Sequence, residues 1–156
     1  MCVTHCCHVL LATTKLRDCL TPSDQFALLL AALCHDVGHN GRTNLWHIVT
    51  KSELAERYND SSVLETHHAT QTFELLRYRH PDYLFRDLSA TLQNELRNVL
   101  ITLILATDIT KHVKNTSEFI NHSGSWGRDL DDRLLLMKVR REGLGGRVKG
   151  LGPLGF

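Results

Sequence analysis

The placement of glycine constrains this chain most. Two of its ten glycines, Gly38 and Gly41, occur before residue 124, and six fall in the last fourteen residues, GLGGRVKGLGPLGF. That last segment has neither a helical nor a strand period and reads as a flexible tail over 140–156. The body before it has no alternating run that suggests a sheet and reads as helix almost throughout. Thr21-Pro22-Ser23-Asp24 is a helix start, with Thr21 as cap, Pro22 in the first turn and Asp24 where the helix dipole favours an acid. Phe26, Leu29, Leu30, Leu33 and Cys34 then mark an apolar stripe running into His35. Thr50-x-x-Glu53 is a candidate capping box for a short helix ending near Tyr58, and Ser62-x-x-Glu65 opens a longer one to about Tyr78. Over 88–119, Leu92, Leu96, Val99, Leu100, Leu103 and Ile104 recur at helical spacing. Arg133 to Val139 starts a further helix, and the polar stretch 37–50 is expected as a loop. The fold class is all-α, a compact multi-helix domain.

With 156 residues and 42% hydrophobic residues, the chain is one globular domain or part of a larger one. Its 18 basic and 17 acidic side chains leave a formal charge of +1, which gives no reason to expect nucleic acid or an acidic membrane as partner. No apolar run approaches the roughly 18 residues of a membrane helix. MCVTHCC lacks the basic start of a signal peptide. Five cysteines, an odd number with no C-x-x-C, fit a reducing cytosol, so the expected location is cytoplasmic, with any membrane attachment left to regions outside this chain. Cys2, His5, Cys6, Cys7 and His8 are either soft metal ligands or a helix carrying small thiols.

Ten histidines are many for this length. His35 and Asp36 follow the strongest apolar helix directly. Adjacent residues diverge by about 100° on a continuous helix, but at a helix end they can converge on one ion. Imidazole with carboxylate suits zinc or another first-row dication, and a carboxylate can bridge to a harder ion such as magnesium. His39 lies within reach of the same site; taken alone, any of these histidines also reads as a surface or core residue. Glu65 is either a capping-box partner or a site residue. Thr107 and Asp108 end an apolar run, and Asp108 is either a helix-terminal surface acid or a site residue, since an acid buried alone there is costly.

In order along the chain, His35-Asp36-x-x-His39-x-Gly41-x-x-Asn44, Tyr58-Asn59-Asp60-Ser61-Ser62-Val63-Leu64-Glu65-Thr66-His67-His68 and Ile104-Leu105-Ala106-Thr107-Asp108-Ile109-x-Lys111-His112 resemble three segments of the class I cyclic nucleotide phosphodiesterases. Those segments are the metal signature, "YND.SVLENHH" and "ILATDMSKH". Val3-Thr4-His5-Cys6 through Lys15-Leu16 is similar to the helix after the family's "HNxxHAxDV". The resemblance covers residues 3–139 and implies an HD-type all-α catalytic domain, incomplete here. It implies hydrolysis of cAMP or cGMP to the 5′-monophosphate in signal transduction, with Zn2+ and Mg2+ (or Mn2+) as cofactors. By the match, His35 and Asp36 are metal ligands, while His39, Glu65 and Thr107 orient metal-bound water or contact phosphate. The general-acid histidine and the first zinc-ligand histidine of the family should precede Met1, and His5 and His8 come too late to replace them. Arg133-Leu134-Leu135-Leu136-Met137-Lys138-Val139 resembles the helix leading to "KCADISNP", whose aspartate is a further zinc ligand, but Arg140-Arg141-Glu142-Gly143 departs from it. The resemblance therefore implies an inactive fragment whose helices at 22–36 and 88–110 expose apolar faces. The alternatives are a non-catalytic helical binding module derived from a phosphodiesterase, or another HD-type metal phosphohydrolase.

Overall fold

The computed structural model describes residues 2–14, 16–78, 83–122 and 130–142, and all regular structure among them is helical. Helix α1 spans Val3–Thr13, α2 Leu16–Cys19 and α3 Pro22–Cys34. In α1 the thiols of Cys6 and Cys7 are buried while Cys2, His5 and His8 are exposed, so the five do not converge on one point. The thiols act as small core residues. Helix α3 starts as the sequence predicts. The Thr21 hydroxyl accepts from the Asp24 N–H at 3.2 Å, and Asp24 Oδ2 accepts from the Thr21 N–H at 2.9 Å. That reciprocal pair satisfies two amides that have no partner within the helix.

The buried face of α3 differs from the expected stripe. Ala27, Leu28, Ala31 and Ala32 are buried, whereas Phe26 is 42% and Leu33 is 68% exposed. Small side chains let α3 approach its neighbours α1 and α7 closely, and the bulky residues are turned outward. Helix α4, Asn44–Val49, lies inside the stretch 37–50 that was expected as a loop. The Thr43 hydroxyl caps it by accepting from the Trp46 N–H at 3.1 Å. Helix α5, Glu53–Arg57, is capped by Ser52, not Thr50, whose hydroxyl donates instead to the Trp46 carbonyl at 2.8 Å.

Helix α6 spans Val63–Tyr78. The expected Ser62–Glu65 box does not form. Ser62 has a left-handed φ of 43° and donates its hydroxyl to Asp108, while Asn44 Oδ1 accepts from the Leu64 N–H at 2.8 Å and so caps the helix from twenty residues away. Helix α7, Ala90–Leu105, buries Leu96, Val99, Leu100, Leu103 and Ile104 on the face the periodicity predicts. The helical run over 88–119 breaks at Asp108, whose Oδ1 accepts from the Thr110 N–H at 2.9 Å and starts a 3-10 turn, Ile109–Lys111. Helix α8, His112–Asn121, follows, and α9 spans Leu130–Glu142. The tail expected over 140–156 thus begins on the α9 backbone and from 143 on lies outside the described residues.

The core is shared by α1, α3, α6, α7, α8 and α9. The alanine face of α3 and the apolar face of α7 cover each other, while Phe26 and Leu33 of the expected α3 stripe stay exposed, so the expectation of bare apolar faces is corrected for α7 and holds in part for α3. Each of Leu100, Leu103 and Ile104, 1% exposed or less, contributes about 1.5–3 kcal/mol of burial. Further exposed apolar side chains lie on α4 and around α8, at Leu45, Val49, Ile109, Val113 and Ile120. No helix among the described residues is long and apolar enough to cross a membrane.

One charged node crosses this core. Asp24, 1% exposed, receives Arg133 Nη1 at 2.8 Å, and Arg133 Nη2 reaches Glu95 at 3.2 Å, joining α3, α9 and α7. Removing one partner strands a buried charge. Arg133→Leu is expected to lower stability by about 3–5 kcal/mol, and adding Asp24→Asn, whose amide oxygen can still cap, recovers most of that loss in urea melts. At the α7 end, burial pushes the Asp108 carboxyl up, but hydrogen bonds from Ser62 and Thr110 outweigh it and hold the group below its ordinary value of 3.8. A depressed carboxyl stabilises the fold above its unfolded value, and that contribution is lost as pH falls through the lower folded value. Asp108→Ala is expected to cost about 1–3 kcal/mol at neutral pH, with the gap to the unaltered chain closing in thermal melts taken below pH 3.8.

Candidate metal centre

Helix α3 ends at His35, and a turn carries the chain back over that end. The Val37 N–H donates to the Cys34 carbonyl and the His39 N–H to the Asp36 carbonyl, each at 3.1 Å. The reversal needs a left-handed residue at Gly38, φ 74°, where a Cβ would also come within 3.3 Å of His67 Nε2. The turn makes neighbours of two side chains that a straight helix would splay apart. His35 Nε2 lies 3.0 Å from Asp36 Oδ2.

The opposite ring nitrogen is engaged as well. His35 Nδ1 is 2.9 Å from the Ala32 carbonyl, which can only accept, so Nδ1 carries a hydrogen and Nε2 is the nitrogen that faces the carboxylate. Helix α6 supplies a second imidazole of the same kind. His68 Nδ1 donates to the Val37 carbonyl at 2.8 Å, leaving its Nε2 4.0 Å from Asp36 Oδ1. Burial pushes His68 below the ordinary histidine value, against the opposing pull of the Val37 carbonyl and Asp36. Burial, then the neighbouring His68, does the same to His67. Neutral imidazole is the form that binds a metal.

His39 stacks on His68 with ring centroids 5.5 Å apart, and its Nδ1 accepts from the Gly41 N–H at 2.9 Å. Its Nε2–H is therefore the free donor. Glu65 sits one turn before His68 on α6 and accepts from Asn44 Nδ2 at 2.9 Å. Thr107 turns its hydroxyl back onto the Ile104 carbonyl at 2.7 Å. Its neighbour Asp108 is tied to Ser62 at 2.7 Å, which docks the end of α7 against the start of α6. Of the residues predicted for the site, His35, Asp36 and His39 are thus brought together, Glu65 stands on the adjoining helix, and Thr107 lies at the end of α7 without a hydrogen bond to the others.

Two residues at the site were not singled out from sequence. His68 braces the His35–Asp36 turn, and Asn44 holds Glu65 while capping α6. Both lie within segments that the resemblance quotes, but their partners are 20 to 31 positions away and only the fold pairs them.

These donors fit a divalent cation. A lone pair and a carboxylate at 3.0 Å need a positive charge between them, a proton or a metal ion. The Asp36 side chain is 63% exposed, which leaves its outer oxygen face open to further ligands or a second ion. Among the described residues no three His, Cys, Asp or Glu side chains come together so as to hold a metal ion. His35 and Asp36 make two candidate ligands, whereas a structural zinc site takes four.

Comparisons with known proteins place the chain in a family. Residues 1–140 match the 3'5'-cyclic nucleotide phosphodiesterase family. The human high affinity cAMP-specific and IBMX-insensitive 3',5'-cyclic phosphodiesterase 8A is 38% identical over 119 residues, 76% of this chain and 14% of that protein. The mouse 3',5'-cyclic-AMP phosphodiesterase 4C is 44% identical over 111 residues, 71% of this chain and 16% of that protein. The phosphodiesterase domain of the RhoPDE fusion protein from the choanoflagellate Salpingoeca rosetta superposes with a TM-score of 0.81 at 35% identity, over 89% of this chain and 45% of that one. The chain spans less than half the length of that solved domain and a smaller share of the curated relatives. With the family matched over nearly its whole length and the fold shared, the chain belongs to the 3'5'-cyclic nucleotide phosphodiesterase family.

Proposed function

We propose that residues 3–139 are the central part of a catalytic domain that hydrolyses a 3′,5′-cyclic nucleotide, cAMP or cGMP, to the 5′-monophosphate, and that 140–156 stand outside it as a glycine-rich tail. The observation that carries this reading is the 3.0 Å approach of His35 Nε2 to the Asp36 carboxylate, braced by His68. Family membership supports a cyclic nucleotide as substrate, and two of the relatives, both cAMP phosphodiesterases, favour cAMP. The setting that fits is cytoplasmic signalling.

His35 would bind zinc through Nε2, and Asp36 would be shared between zinc and magnesium or manganese. Such a pair of ions neutralises phosphate charge and lowers the pKa of water. The chain's own residues supply orientation. The Ala32 carbonyl keeps His35 in the ligating tautomer, and the Val37 carbonyl does the same for His68. His39 offers an Nε2–H to water or to a phosphate oxygen. Asn44 presents Glu65 with one oxygen already satisfied and the other free to accept from a water. Thr107, half-buried beside Asp108, is assigned to phosphate or water contact on the family resemblance alone, since its hydroxyl donates to the Ile104 carbonyl. Two ligands do not hold zinc tightly, so the 156-residue chain by itself is expected to be inactive.

The test is made on the catalytic domain that contains this segment, measuring cAMP and cGMP turnover together with bound metal. Asp36→Asn is expected to reduce turnover by more than about a hundredfold, beyond the range of residues that only orient a ligand, and to release the magnesium-type ion. Asp60→Asn should leave both unchanged: Asp60 is exposed with φ 57°, a left-handed conformation that Asn adopts as readily. Near-normal turnover in the Asp36 variant overturns the assignment.

A further inference from the structure

Helix α4 is built inside out. It exposes Leu45 and Val49, 69% and 71%, and buries one residue, His47, at 2%. A buried imidazole is tolerated when both ring nitrogens are paired, and here both are. His47 Nδ1 lies 2.7 Å from Ser52 Oγ, the cap of α5, and His47 Nε2 lies 3.2 Å and 3.3 Å from the two carboxamide atoms of Asn40. Asn40 Oδ1 also accepts from the Arg42 N–H at 3.1 Å. Either tautomer of His47 satisfies these groups, because the Ser52 hydroxyl and the Asn40 carboxamide can each donate or accept. His47 therefore ties the loop after α3 laterally to α4 and α5.

That loop carries His39. Asn40 stands between His39 and Gly41, and the Gly41 N–H is the donor that orients the His39 ring. A Cβ at Gly41, φ 77°, would meet nothing within 4 Å. Side chains on either side anchor the turn: Arg42 lies 5.0 Å over the Trp46 ring of α4, and Asn40, the neighbour of His39, is backed by the buried His47.

We propose that His47 is a positioning residue for the metal centre: through Asn40 it holds the 39–41 loop so that His39 presents its Nε2–H beside His68. This rests on the reading of His39 as a site residue, but its test needs no turnover. The probe is side-chain nitrogen and carbon NMR of the histidines in the full 156-residue chain. In the unaltered chain His39 is expected as the Nε2–H tautomer. In His47→Leu its ring resonances should shift to those of a free imidazole with mixed tautomers. His35 and His68, held by the Ala32 and Val37 carbonyls, should not move. His47→Gln, whose carboxamide can reach Asn40, should restore the His39 signals. Asn40→Ala cuts the same link at an exposed position and should reproduce the leucine variant even where that variant fails to fold. Unchanged His39 resonances in Asn40→Ala, or in a folded His47→Leu, overturn the proposal. So does a glutamine variant that folds without restoring them. Loss of activity on changing Asp36 bears on the catalytic reading and leaves this outcome untouched.

Discussion

Close packing of α3 against α7 sets the frame for everything else. Ala27, Leu28 and Ala31 present a low face, and Leu96, Val99, Leu100 and Leu103 fill the space above it. Interiors at this density do not deform continuously, so fixing the register of α3 fixes where its last residue stands. That last residue leads into His35 and Asp36. At the opposite end of α3, Asp24 caps the helix and is clamped by Arg133 from α9. A helix held at its start by an ion pair and along its length by alanines delivers its C-terminus to one place. The ion pair is not required for net stability, since a buried pair seldom gains more than hydrophobic packing would. Its effect is specificity of docking, with Arg133 reaching both α3 and α7.

The centre then arises from short-range electrostatics. Two carbonyls that helix and turn leave available, those of Ala32 and Val37, each fix one histidine tautomer. Both held imidazoles turn Nε2 toward one carboxylate. A positive charge between them, a proton or a cation, makes the arrangement favourable. Openness is part of the design, because Asp36 is buried on its histidine side and bare on the other. Glu65 is held by Asn44, and Thr107 turns its hydroxyl onto the Ile104 carbonyl without a hydrogen bond to the other predicted site residues.

Some of this was readable along the chain and some was not. The Thr21–Asp24 start of α3 and the buried face of α7 followed from local rules, since both depend on residues one turn apart. The buried face of α3 did not. Reading the stripe by the bulk of Phe26 and Leu33 overlooks that alanines give the closer approach. Helix α4 was missed because its flanks are polar and glycine-bearing, while its cap at Thr43 lies inside the stretch taken for a loop. The cap of α6 was misread for a different reason. Its true partner, Asn44, is remote in sequence, and no local pattern announces it. For the site, His35, Asp36 and His39 were legible as a motif. Their bracing by His68 was not, because it depends on how α6 crosses the end of α3.

In the proposed site, His35 and Asp36 form a metal-binding face. Zinc titration of the 156-residue chain, followed by histidine side-chain nitrogen NMR, tests it most directly. Nε2 of His35 is expected to shift first and most, its Nδ1–H to stay bonded to the Ala32 carbonyl, and Asp36→Asn to remove the response. A zinc response confined to His5 and His8, beside the cysteines of α1, with His35 unmoved, would contradict it.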